Sequence, residues 1–210
     1  MTAALLVGAV VGGWAAGWWP VRQFAAQHVN ARGRFAASSR WVFAAVTSLV
    51  FLAIVWGVGL SPLLPVALVF AVAGVAASAV DLVEHRLPNA ILLPAFLVIA
   101  VCVAAAGFTV GPEVLWQALA GGTAMLVVYG VVALLSPRSM GMGDVKLAGI
   151  IGITLGVFGL TTWVIGLLGA FLVGGLVALV TLARGRAGLG SAIPFGPSMV
   201  AGAIAGLLLG

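Results

Sequence analysis

Long apolar stretches, divided by short polar or turn-forming clusters, run the length of this chain. They lie near residues 3–19, 41–58, 63–80, 89–107, 114–135, 145–159, 162–183 and 194–209. A membrane helix needs about 20 apolar residues, and backbone amides in hydrocarbon must be satisfied within the segment, which makes such runs helical. The pattern predicts an all-α polytopic membrane bundle of about eight transmembrane helices, a single domain over residues 1–210. The break from Gly156 to Thr162 is the faintest. Without it, the sixth and seventh runs merge into roughly 38 residues, far beyond the 17–25 that a span uses; seven spans is the alternative.

Composition agrees with this pattern. The chain is 64% hydrophobic and 6% charged, whereas soluble domains carry about 25% charged residues. A net charge of +5 raises the question of nucleic acid, but the cations sit in short loops and form no basic stripe interleaved with aromatics; no nucleic-acid partner is expected, and the bilayer is. The single cysteine, Cys102, excludes an internal disulfide or a multi-cysteine zinc site and reads as a packed thiol. No positive region precedes the first apolar run, so residues 3–19 read as a retained span.

The cations also orient the spans. Arg22, Arg32, Arg34 and Arg40 fall in the first loop, Arg86 in the third, Arg138 and Lys146 in the fifth, and Arg184 and Arg186 in the seventh. All nine basic residues therefore lie in odd-numbered loops. The excess of Lys and Arg on cytoplasmic loops makes that side cytoplasmic and predicts both termini outside.

Against this background acids are rare: Asp and Glu together number four. Asp81 ends the third run and Asp144 opens the sixth, which places both at the cytoplasmic rim. Acids at this depth are costly and point to function. Two neighbouring carboxylates cannot comfortably both ionise, so they share a proton and titrate as a pair. The ionised partner can deprotonate water while the protonated one polarises a peptide carbonyl, as in aspartic proteases. That chemistry needs no metal and no nucleophilic side chain, and no cofactor is expected for it.

Neighbouring residues extend the candidate site. Gly141 and Gly143 lack Cβ atoms, so the backbone before Asp144 is free to adopt unusual dihedrals and to let a peptide approach. Lys146 is placed to favour an ionised carboxylate, or else anchors the helix at the interface. Glu84 is a candidate contact for a basic substrate segment, or a solvated loop charge. His85 reads as a headgroup-level polar residue, and Glu113 as a first-turn acid complementing the helix dipole. Asp144 itself has a plainer reading as a helix cap. Gly149, Gly152 and Gly156 have helix-packing spacing. Trp18, Trp19, Trp41, Trp56 and Trp116 lie near span ends as interfacial anchors, with Trp14 and Trp163 less clearly placed.

Three stretches resemble the type IV prepilin leader peptidases, membrane aspartyl proteases with a GxGD signature. They are Asp81-Leu82-Val83-Glu84-His85-Arg86-Leu87-Pro88-Asn89, Gly141-Met142-Gly143-Asp144-Val145-Lys146-Leu147 and Ile193-Pro194-Phe195-Gly196-Pro197, with the likeness spread over about residues 65–205. The resemblance implies that Asp81 and Asp144 are the catalytic carboxylates. It implies a cut on the cytoplasmic side of a bacterial-type inner membrane, between a short basic leader and the apolar helix of a prepilin or pseudopilin, usually after glycine. Larger members carry a cytoplasmic insert with paired cysteines, and many also N-methylate the trimmed pilin. Here the loop over residues 20–40 is short and has no cysteine. A zinc-bearing insert is thus absent, and S-adenosylmethionine-dependent methylation is not expected. A different class of function, a proton- or cation-coupled transporter using the aspartates as a relay, is the alternative; no internal repeat supports it. Oligomeric state is not legible in the sequence.

Overall fold

The computed structural model describes residues 3–27, 39–136, 140–184 and 194–210. Among them are eight helices and no strand: α1 Ala3–Gln27, α2 Ser39–Val58, α3 Leu64–Glu84, α4 Asn89–Thr109, α5 Glu113–Leu135, α6 Met142–Gly156, α7 Leu160–Ala183 and α8 Gly196–Leu209. The expected all-α polytopic bundle is the observed one. Arg32, Arg34, Arg138, Arg186 and Ile193 lie outside the described residues.

Six helices, α1 to α5 and α7, are long and apolar enough to cross a membrane. The two exceptions are informative. α6 has 15 residues and α8 has 14, which at 1.5 Å per residue rise about 22 and 21 Å, short of a hydrocarbon core of about 30 Å. Both bury much of their surface against other helices: every residue of α6 from Leu147 to Ile151 is buried, and α8 buries Ser198, Met199, Val200, Gly202 and Ala203. The faint break after Gly156 is real. A tight turn through Phe158 leads to Gly159, whose φ of +105° is open to glycine, and α7 starts at the next residue.

The segment expected as a loop over residues 20–40 is partly helical. α1 continues to Gln27 through a wide π-helical turn at Gly17–Val21 that contains Pro20. Proline has no N–H to give and its ring crowds the preceding turn; the widened turn absorbs it without ending the helix.

Small residues set the packing. A Cβ on Gly13 would stand 2.6 Å from Ser48 Cα, and the Ser48 hydroxyl donates to the Val10 carbonyl at 3.0 Å, so α1 and α2 meet backbone to backbone. Gly152 and Gly156 press against Gly121 and Gln117 of α5 in the same way, which bears out the packing role read from their spacing. Gly202 seats α8 against Gly166 and Ala170 of α7. α3 runs through the middle, packed on α2, α4 and α8; its Gly74 faces Val200 of α8. Cys102 is half-buried and packs against the core.

Trp14, Trp18 and Trp41 form one aromatic cluster with ring centroids 4.9–5.9 Å apart, and the Arg40 guanidinium lies 4.8 Å over the Trp18 ring. Trp163 is instead a helix tie: its indole N–H donates to the Gly121 carbonyl at 3.0 Å.

Candidate active site

Asp81 lies in the last turn of α3 and is 4% exposed. A carboxylate so enclosed needs a donor, and the structure supplies one from a distant part of the chain. The N–H of Gly196, first residue of α8, donates to Asp81 Oδ2 at 2.9 Å. The first amides of a helix have no partner inside it, and they sit at the positive end of its dipole. The start of α8 is thereby aimed at Asp81. A Cβ on Gly196 would stand 2.9 Å from Asp81 Oδ2 and 3.4 Å from Leu87 Cδ2, so a larger residue there would displace the carboxylate from this contact.

Below Asp81 the chain turns sharply. His85, with φ +51° and ψ 40°, closes α3 in the left-handed region, and its N–H returns to the Asp81 carbonyl at 2.9 Å. That turn brings Leu87 against Gly143 of α6 and Gly196 of α8. Leu87 is buried there, and Asn89 begins α4. Glu84 and Arg86 flank the turn, with Arg86 Nε 3.9 Å from Glu84 Oε2.

Asp144 is the third residue of α6 and half-buried. Its Oδ2 accepts the N–H of Gly141 at 3.0 Å, which is one half of a capping box; Gly141, having no side chain, cannot supply the other half. The capping role and the site role are thus compatible in one side chain: the cap uses one carboxylate oxygen and fixes the other.

Asp81 and Asp144 stand at the same end of the bundle, within electrostatic reach of each other. Contacts between their neighbours hold them there. Gly143 packs on Leu87, where a Cβ would come 2.9 Å from Leu87 Cβ. Lys146 Nζ donates to Asn89 Oδ1 at 2.9 Å, tying the second turn of α6 to the first of α4. Three separated stretches, at Asp81–Asn89, Gly141–Leu147 and Pro194–Gly196, converge on one place.

The reason for the two glycines differs from the one read in sequence. Gly141 has φ −85° and ψ 159°, ordinary extended backbone, and neither it nor Gly143 is among the positive-φ glycines. Unusual dihedrals are therefore not their purpose. Gly143 is small because Leu87 leaves no room, while a Cβ on Gly141 would stand 3.6 Å from Asp144 Oδ2, an ordinary contact. Lys146, for its part, is engaged with Asn89.

A contributor that sequence reading missed is Tyr129 of α5, the only tyrosine in the chain, 1% exposed. It lies within electrostatic reach of Asp144. Its ring stacks on Phe171 of α7 at 5.3 Å and meets Phe195 at 6.3 Å, and Phe195 immediately precedes the Gly196 that holds Asp81. Gly174 leaves space for the Phe195 ring. The signal was present in sequence as a lone polar aromatic inside an apolar run, but nothing local tied it to either aspartate.

The model of the type IV leader peptidase family matches residues 68–182, a stretch that includes both aspartates. The chain belongs to this family. Neither a curated protein nor a solved structure matches it. As a leader peptidase-type protease with six long apolar helices, it is a multi-pass membrane protein. The family match begins within α3 and ends within α7, so Gly196, the donor to Asp81, comes from beyond the matched region.

Proposed function

We propose that this leader peptidase-family protein is an aspartic-type endopeptidase that removes the short basic leader from type IV prepilins or pseudopilins. The observation that supports it most is the placement of Asp81 and Asp144 at one end of the bundle, each with an oxygen fixed by a backbone N–H. The pair shares one proton. The ionised carboxylate takes a proton from water as its oxygen attacks the peptide carbonyl, and the protonated carboxyl donates to the carbonyl oxygen. When the tetrahedral intermediate collapses, the proton held by the first carboxyl passes to the leaving nitrogen. The second carboxylate takes a proton back from the intermediate's hydroxyl, which leaves the product acid and the starting protonation of the pair. Asp144, half-buried, is the more open of the two to an arriving peptide; Asp81 is the enclosed partner.

The cut falls at the cytoplasmic face in this reading, because the basic residues of the sequence cluster in or beside the apolar-run boundaries that alternate to the aspartate side. A basic leader suits a mouth that carries Asp144 and Glu84, and Glu84 is our candidate for contact with it. The reaction uses no metal or other cofactor, and no methyl transfer from S-adenosylmethionine follows it.

Co-expression with a prepilin tests this directly. Leader removal, seen as a mobility shift, is expected with the parent protein and lost in Asp81→Asn and Asp144→Asn variants that still insert. Full cutting by either variant would sink the two-aspartate mechanism. The mass of the product's N-terminus tests the second point: an added methyl group would overturn it.

A further inference from the structure

A groove of about 380 Å³ runs between α4 and α6 on the outside of the bundle. Leu92, Leu93 and Phe96 line it from α4, and Gly149, Ile150 and Ile153 from α6. Both sets have the spacing of a single helix face, so the groove follows the two helix axes. From Lys146 to Ile153 it descends about 10 Å, or two helical turns.

Its two ends differ. Asn89 and Lys146, hydrogen-bonded at 2.9 Å, are its polar lining residues and stand at the aspartate end, with Lys146 two positions past Asp144. Below them every lining residue is apolar or glycine. The long side is open, with Leu93 59% exposed and Phe96 and Leu126 also exposed. Two other grooves lack this arrangement. One, between α3 and α4 at Val72, Ala76 and Val98, is lined by apolar residues throughout. The other, at Gln117, Gly159 and Trp163, lies at the opposite end of the bundle.

We propose that the α4–α6 groove seats the apolar helix of the substrate, beginning just past the bond that is cut. The inference rests on the leader-peptidase reading above and adds where the rest of the substrate lies. A peptide bond held at Asp144 is covalently continued by an apolar segment, which must leave along the bundle surface from that point. The α4–α6 groove opens at the same end of the bundle, at the level of Lys146 two positions past Asp144, and is polar at that end and apolar below it. Its size is within the range of about 300–1,000 Å³ found for binding sites. Its lining residues Leu93, Phe96, Ile150 and Ile153 then act as specificity determinants for large apolar side chains in the first two turns of the substrate helix.

The test uses two probes with the same basic leader and glycine at the cut. One continues into an apolar helix, and the other stops a few residues past the cut. A photo-crosslinking residue is placed at Leu93, at Phe96, or at Val98 in the neighbouring groove, in an Asp144→Asn background that retains the long probe. Capture of the probe's first two helical turns from Leu93 and Phe96, at least tenfold above Val98, is expected. In the otherwise unaltered protein, Leu93→Trp is expected to raise KM for the long probe at least tenfold and to leave the short probe unchanged. Equal capture from Val98, capture of phospholipid alone at Leu93, or an equal effect on both probes would overturn the groove assignment while cleavage by the parent keeps the peptidase reading. If the parent cuts neither probe, the peptidase reading falls, and the groove assignment with it.

Discussion

The N–H of Gly196 donates to Asp81 across 115 positions of sequence, at 2.9 Å. Gly196→Ala puts a methyl group 2.9 Å from the same carboxylate oxygen and 3.4 Å from Leu87 Cδ2. The expected result is a fall in leader cleavage of at least tenfold with normal insertion, read from co-expression gels and membrane fractionation. Unchanged cleavage would mean that Asp81 does not depend on this contact.

The GxGD glycines should behave differently from each other. Gly143→Ala drives a Cβ to within 2.9 Å of Leu87 Cβ and 3.4 Å of the Leu87 carbonyl oxygen, so the Leu87 backbone must shift. Overpacking of this kind costs about 1–3 kcal/mol. Gly141→Ala makes an ordinary 3.6 Å contact from extended backbone and should change stability by no more than about 0.5 kcal/mol. Thermal unfolding of the two variants in detergent makes the comparison.

Lys146 and Asn89 join α6 to α4 by one exposed hydrogen bond. Such bonds contribute about 0.5–1.5 kcal/mol net, and exposure puts this one at the lower end. A double-mutant cycle on Lys146→Met and Asn89→Ala should return a coupling of about 0.5 kcal/mol. A coupling of zero would show that the contact does not join the two helices in the membrane.

Tyr129 separates packing from its hydroxyl. Tyr129→Ala empties a fully buried site between Phe171 and Phe195 and should cost about 3–5 kcal/mol. Tyr129→Phe keeps both ring contacts and should unfold within about 1 kcal/mol of the parent. Because Phe195 leads directly to Gly196, the alanine variant should also cut leaders more slowly, whereas loss of cutting in the phenylalanine variant would assign the hydroxyl a part at the site.

Much of this was legible beforehand. Apolar runs located eight helices, and even the faint break after Gly156 proved to be a helix boundary, because Gly159 there takes a backbone angle that stops the helix. Asp81 and Asp144 were visible as costly acids in an apolar chain, and the alternation of charged loops set them at one end. The end of α1 was not legible, since Pro20 suggests a stop and the wide turn at Gly17–Val21 carries the helix past it. The role of Gly143 was misread for a related reason: a glycine chosen for space looks the same in sequence as one chosen for its angles.

The sequence by itself determined that this is a helical membrane protein, where most of its helices run, and which two carboxylates are the candidates for its chemistry. Those properties follow from local hydrophobicity, chain length and the cost of a charge near lipid, all of which act residue by residue. Only the tertiary structure decided that Gly196 holds Asp81, that Leu87 forbids a side chain at position 143, and that Tyr129 braces the segment before Gly196. Contacts of that kind depend on which helix faces meet. In an apolar bundle many faces have nearly the same composition, so close backbone packing through small residues, which the sequence pattern hardly distinguishes, settles the choice.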